Sequence, residues 1–285
     1  MGYVYSFLIL LFLVSVAGSA MHVVTSLAGK YMFMFPVVYT VAMYTLAIAE
    51  QAGWSPWTAF GFGLVNAVLF GFILAFLERR LSRDSFAVLG VAGVFAGLAL
   101  SKSWTSVTNG VLGISGVLRP ESLQSLGHLT LFCFGLWGLV LILEWVLLRT
   151  ALSRRWRAMR EAQHILEGTG VNAKKLSFWT LVVACCFLAT AAMPFAWFYQ
   201  YVDPGSTGGL PDFIRVISVV ILARQPKVSH VVGAAFFIVA VPELLRFLDL
   251  PASMMGPLRS ILYSTLLIVA LFVLQKRSLF SNRQI

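Results

Sequence analysis

The sequence predicts an all-α polytopic membrane protein of about eight to nine transmembrane or partly spanning helices, with one cytoplasmic amphipathic helix in its middle. Three observations predict it. Only 11% of the 285 residues are charged, against roughly 25% in soluble domains. Hydrophobic residues recur in runs near the ~20-residue length that crosses a bilayer, and Gly2–Gly29 contains no Lys, Arg, Asp or Glu. The one long polar stretch, "RAMREAQHILEGTGVN" at 157–172, interrupts a chain with mean hydropathy +0.88.

Hydrophobic segments fall at about 3–28, 31–49, 57–77, 85–101, 127–148, 177–199, 212–223, 229–248 and 257–274. The first lacks a basic start, since Lys30 is the first cation, and it runs on past the small residues at 15–20. A retained span is therefore expected, not a cleaved leader. The seventh is too short to cross a ~30 Å core. It is expected to be a half-helix, a re-entrant piece or part of a bent span, because irregular backbone at membrane depth needs protein or a water cavity around it.

The net charge of +10 comes from a few short loops, which excludes a nucleic-acid reading: no aromatic-basic surface accompanies it. Arg79, Arg80 and Arg83 follow the third segment. Arg149, Arg154, Arg155, Arg157, Arg160, Lys174 and Lys175 follow the fifth. Arg224 and Lys227 follow the seventh, and Lys276, Arg277 and Arg283 close the chain. These four places share one parity, while Glu50, Asp203, Asp212 and Asp249 fall in the opposite loops. The positive-inside rule then gives an inner-membrane, multi-pass topology with the N-terminus outside and the C-terminus cytoplasmic. Cys133, Cys185 and Cys186 lie in apolar runs without metal-site or disulfide spacing, and read as small core residues. No GxxxxGK[ST] loop occurs, so ATP-driven work requires another chain.

Residues 154–167 read as an amphipathic helix. Trp156, Met159, Ala162 and Ile165 recur at helical spacing, with Leu166 beside them, and Arg157, Arg160, Glu161, His164 and Glu167 take the other faces. Gly168 and Gly170 suit its end, because glycine takes the left-handed C-terminal position without strain. On physics alone, the helix either floats on the membrane surface or docks a cytoplasmic partner.

The same stretch resembles the cytoplasmic coupling loop of the permease subunits of branched-chain amino acid ABC importers, whose pattern is close to R-A-[IM]-R-E-x-E-x-A-A-E-A-x-G-[IV]-N. Arg157, Ala158, Met159, Arg160, Glu161, Glu167, Gly170, Val171 and Asn172 fit; Gln163 stands for a Glu, and Ile165 and Leu166 for alanines. The resemblance continues through "SLAGKYMFMFPVVYTVAMYTLAIA" (26–49), "RDSFAVLGVAGVFAGLAL" (83–100), "TNGVLGISGV" (108–117), "VVGAAFFIVAVPELLRFLDLP" (231–251) and the tail "LRSILYSTLLIVALFVLQKRSLF". Two departures stand out. Met32, Phe33, Met34 and Phe35 replace Ser-Leu-Gly-His, and the Gly-rich loop is "LARQPKVS" at 222–229, without glycine. Small residues let transmembrane helices approach closely, so the translocation path is expected to be reshaped there.

The resemblance implies one permease domain over 1–285, with the coupling loop at about 149–176. It implies no enzymatic activity of its own. ATP and Mg would be bound by two cytoplasmic ATPase subunits; a second related permease subunit and an extracytoplasmic solute-binding protein complete the implied complex. The implied cargo is a branched-chain amino acid or a similar small amphipathic solute. The alternatives are a permease specialised for urea, a short amide or a more apolar solute, or a non-transporting scaffold that docks an ATPase. The coupling residues would be Trp156, Arg157, Met159, Arg160, Glu161, Ile165, Glu167, Gly168 and Gly170. Met34, Phe35, Asn109 and Gly110 are candidates for the translocation path, Asn109 and Gly110 because glycines at 110, 113 and 116 suit a tight turn reaching a solute. His22 and Asn66 are expected to be hydrogen-bonded packing residues. Glu144 is placed near the inner interface, and Glu243 and Arg246 form an i, i+3 pair after Pro242, which suggests a helix start or kink.

Overall fold

The computed structural model describes residues 2–205, 210–223, 227–244, 258, 261, 262 and 264–269. Helix α1 spans Gly2–His22 and continues through a π-helical turn, Val23–Leu27. After irregular backbone at 28–34 come α2 (Phe35–Gln51), α3 (Pro56–Arg80) and α4 (Arg83–Ser103). A short α5 (Thr105–Thr108) leads to a two-residue strand, β1 (Ile114–Ser115). Then follow α6 (Leu126–Arg149), α7 (Ala151–Gly168), α8 (Ala173–Tyr199), β2 (Tyr201–Val202), α9 (Leu210–Leu222) and α10 (Val228–Leu244). β1 and β2 pair antiparallel, Ile114 opposite Val202.

Local chemistry starts these helices. Ser55, Ser82, Ser125 and Asn172 each cap an N-terminus by accepting a backbone N–H three residues on, which satisfies one of the donors a helix start leaves orphaned. Pro36 and Pro56 occupy first-turn positions, where the missing N–H costs nothing. Among the described residues five helices are long and apolar enough to cross a membrane: α1 with its π turn, α3, α4, α6 and α8. The chain is a multi-pass membrane protein.

Position in the bundle follows from side-chain size. α8 carries small residues at Ala184, Cys185, Ala189, Ala191 and Ala192, and packs against α3, α2 and α1. Such a surface lets helices approach closely. α1 packs on α6, α8, α9 and α10. α1 and α8 are mostly buried, whereas α3, α4 and α6 bury less than a third of their apolar windows and turn the remainder outward. Cys133 and Cys185 are buried core residues.

The expected second segment, 31–49, is divided. Its first residues form no helix, and Phe33 and Met34 lie against Gly90 and Gly93 of α4. Gly90 is seven residues into α4, so this irregular backbone lies about 10 Å inside the helix end at the ~1.5 Å rise of an α-helix. α9 has 13 residues and is too short to span alone. The sequence suggested a helix start or a kink at Pro242; it lies inside α10, in the last turn of Val228–Leu244, and so is not a helix start. Arg246, Arg224, Asp249 and the basic tail lie outside the described residues; Glu243 accepts a hydrogen bond from the Tyr3 hydroxyl at 3.3 Å.

Candidate functional site

α7 is longer than the sequence pattern indicated, and it is broken. Ala162 sits at φ −152°, ψ 78°. Before the break, Trp156 and Met159 point into the protein, against Val23, Leu27, Ala28 and Ala173. After it, Leu166 and not Ile165 continues the buried face, and Ile165 is 73% exposed. This corrects the expectation of one apolar docking face built from Trp156, Met159 and Ile165: at about 100° per residue three successive steps of three drift by about 180°, so Ile165 falls opposite Trp156 while Leu166 stays beside Met159 on the buried face. The Trp156 indole Nε1 donates to the Thr180 hydroxyl of α8 at 2.7 Å, so its polar edge is satisfied inside.

The remaining coupling candidates distribute as follows. Arg157 donates to the Ser153 hydroxyl at 3.3 Å. Arg160 donates to the Ser26 carbonyl in the π turn of α1. Glu161 is exposed, and Glu167 accepts from Gln163 at 3.0 Å. The helix ends at Gly168, but the left-handed residue that releases the chain is Gly170, at φ 81°. The Arg160 contact has a backbone condition. Gly29 lies at φ 69°, and a Cβ there would stand 2.7 Å from Arg160 Cγ. Only glycine accepts both the left-handed backbone and the close approach.

Six residues beyond Gly29 the chain reaches Phe35, which begins α2 and packs on α9. The Phe35 ring stacks on Phe213 of α9, with centroids 5.5 Å apart and planes 8° apart, and Phe33 meets Phe213 edge-on at 6.1 Å. Beneath this stack is a cavity of about 20 Å³ lined by Phe35, Tyr39, Phe195, Asp212 and Arg215, room for about one water. Asp212, which the hydrophobic pattern placed in an outer loop, forms an i, i+3 ion pair with Arg215 at 2.8 Å. Of the two bulky path candidates only Phe35 reaches this cavity; Met34 packs against Gly93 of α4. The Asp212–Arg215 pair is the feature sequence reasoning missed. Its signal was present: two opposite charges one helical turn apart inside a segment too short to span.

Asn109 and Gly110 lie at the opposite end of the bundle from α7. Asn109 adopts φ 59° and donates from Nδ2 to the Gly113 carbonyl at 2.9 Å, closing the turn that precedes β1. The same end is tied by Glu50, which accepts from Trp197 Nε1 at 3.0 Å and from the Leu118 N–H at 2.8 Å. Arg119 donates to the carbonyls of Trp197 and Phe198, at 2.6 and 2.7 Å. These bonds occupy the carbonyls left open at the end of α8.

His22 and Glu144, read separately in the sequence, are partners. His22 Nδ1 and Glu144 Oε1 lie 2.8 Å apart and both side chains are fully buried, joining α1 to α6 just before α7. No spacing rule links residues 122 positions apart. Asn66 is a packing residue, as expected, donating from α3 to the Thr45 hydroxyl of α2 at 2.8 Å.

Comparison with known proteins follows the same lines. The family described as "Branched-chain amino acid transport system / permease component" matches residues 3–274. The high-affinity branched-chain amino acid transport system permease protein LivM of Escherichia coli (strain K12) is 25% identical over 261 residues, 81% of this chain and 61% of that protein. LivM of Salmonella typhimurium is 27% identical over 262 residues, with the same two shares covered. The chain thus spans 61% of the length of these curated relatives. A solved structure, PsaBC from Streptococcus pneumoniae in complex with Fab, aligns with TM-score 0.49 and 13% identity over 93% of this chain and 89% of that one. With nearly its whole length matched, the chain belongs to the family of permease components of branched-chain amino acid transport systems.

Proposed function

We propose that this chain is the membrane-spanning permease subunit of an ATP-binding cassette importer for a branched-chain amino acid or a similar small amphipathic solute. It works with a second related permease, two cytoplasmic ATPase subunits that bind ATP and Mg, and an extracytoplasmic solute-binding protein. The basic end of the bundle is cytoplasmic, which leaves the N-terminus outside. One observation carries the reading. α7 holds the turn 26–29 through Arg160, and the same turn runs directly into Phe35, which closes the cavity against Phe213. A displacement of α7 by an ATPase therefore pulls on the residue that plugs the route.

The exposed side of α7, with Glu161, Ile165 and Glu167, is the part available to the ATPase; Trp156 and Met159 hold the helix to the permease. Ile165 supplies the apolar contact, and the exposed charges set orientation at about 0–1 kcal/mol each. The Asp212–Arg215 pair favours a zwitterion over urea or an amide. In an opened site Asp212 faces the ammonium group, Arg215 the carboxylate, and the rings of Phe35, Tyr39 and Phe195 the apolar side chain.

The test is uptake of labelled leucine by the full complex in proteoliposomes, with ATP hydrolysis measured alongside. Arg160→Ala should keep the ATPase bound and hydrolysing while uptake falls. Asp212→Asn should lower leucine uptake by about 10- to 100-fold, the range for losing a hydrogen bond to a charged group. Undiminished uptake in Arg160→Ala, with the complex intact, would refute the linkage; undiminished uptake in Asp212→Asn would refute the zwitterion site.

A further inference from the structure

A second cavity, of about 230 Å³, opens at the basic end where the 28–30 turn, the end of α3, the start of α4, α7 and the start of α8 meet. Its charged lining is Lys30, Glu78, Arg79, Arg83 and Lys174. The single carboxylate is already used: Glu78 pairs with Lys30 at 2.7 Å. Four cations against that one anion leave three positive charges without compensation. Arg79, Arg83 and Lys174 make no hydrogen bond or ion pair with the described residues. Two of them are steadied by rings, Arg79 over Phe178 at 5.8 Å and Arg83 over Tyr31 at 4.8 Å. Cation–π contacts of this kind hold a guanidinium in place and leave its N–H donors open. Arg83 and Ala173, the first residues of α4 and α8, also line the cavity, so two helix starts add partial positive charge.

We infer that this cavity binds the phosphate of an anionic phospholipid. A guanidinium fork and an ammonium group are suited to phosphate oxygens, and 230 Å³ admits a headgroup. The lipid source follows from the rim. Exposed Leu81 lines the cavity, and it adjoins the outward apolar faces of α3 and α4, where Phe76 and Phe95 are each 54% exposed. Acyl chains can lie along those faces while the headgroup turns inward. Met159 and Gln163 of α7 and Gly29 border the same cavity, so an occupying headgroup braces α7 against α3. This assignment does not depend on which solute is carried.

The experiment is native mass spectrometry of the full chain, with its co-purifying subunits, titrated with phosphatidylglycerol or phosphatidylcholine. One phosphatidylglycerol per chain should be retained in preference to phosphatidylcholine. Arg83→Gln/Lys174→Gln should lower that occupancy about tenfold or more, from the loss of two basic contacts to an anionic lipid. Arg80→Gln is the control: it removes the same kind of charge, but Arg80 stands over Phe76 and outside the cavity, and its effect should stay within about twofold. Should the double variant fold poorly, Arg79→Gln alone should still exceed the control. Equal losses in Arg80→Gln and the cavity variants, or equal retention of the two lipids, would overturn the site. Displacement of the lipid by millimolar inorganic phosphate would reassign it to a free anion and overturn the lipid assignment.

Discussion

Trp156 is the anchor that holds α7 to the bundle, and removing it should loosen that helix selectively. The residue is 3% exposed among Val23, Leu27, Met159, Leu166 and Ala173, and its indole N–H is bonded to Thr180. Two substitutions divide its contribution. Trp156→Phe keeps most of the ring volume and removes the donor. Thr180 Oγ1 still donates to the Leu176 carbonyl at 2.8 Å, so the cost should be near the net value of one hydrogen bond, about 1 kcal/mol. Trp156→Ala also removes the packing and should cost about 3–5 kcal/mol. At about 1.4 kcal/mol per factor of ten, α7 amides should exchange roughly fivefold faster in Trp156→Phe and more than 100-fold faster in Trp156→Ala. Hydrogen exchange by mass spectrometry reads this helix by helix and distinguishes local opening from global unfolding. The α3 and α8 amides should keep their protection. If Trp156→Ala exchanges no faster over α7 than Trp156→Phe, the tryptophan is not the packing anchor, and its inward orientation is wrong.

Two further outcomes are expected. Gly29→Ala should destabilise the Arg160 contact by more than Gly170→Ala does, because both positions have positive φ but only Gly29 has Arg160 within 3 Å of a new Cβ; the left-handed backbone alone costs about 1–2 kcal/mol, and the excess measured by thermal unfolding should be steric. His22→Leu should cost about 3–5 kcal/mol by leaving Glu144 buried without its partner, whereas His22→Leu/Glu144→Leu should recover most of that loss; equal melting midpoints for the single and double variants would show that the pair is not coupled.

Much of this protein is legible in its residues. Long apolar runs have one physical outcome in a bilayer, because a backbone without water must satisfy itself as helix. The spans follow from that, and the gathering of Lys and Arg into a few loops is read directly from the sequence. The polar stretch at 157–172 was legible from its composition and motif. Its orientation was not. Apolar residues stand on more than one face of the helix, and only packing decides which face meets the bundle: Trp156, Met159 and Leu166 are buried and Ile165 is exposed.

What the tertiary structure alone decided are the contacts between distant segments. His22 meets Glu144, Phe35 meets Phe213, Arg160 meets Ser26, and Lys30 meets Glu78. Each side chain looks ordinary in its own segment, and its role depends on which helix the packing brings opposite. The sequence determined that the chain fills a membrane with helices and keeps one charged helix outside it. Folding determined that this helix meets the turn at Gly29 and that Phe35, a few residues on, meets Phe213, because close packing decides which distant segments come into contact.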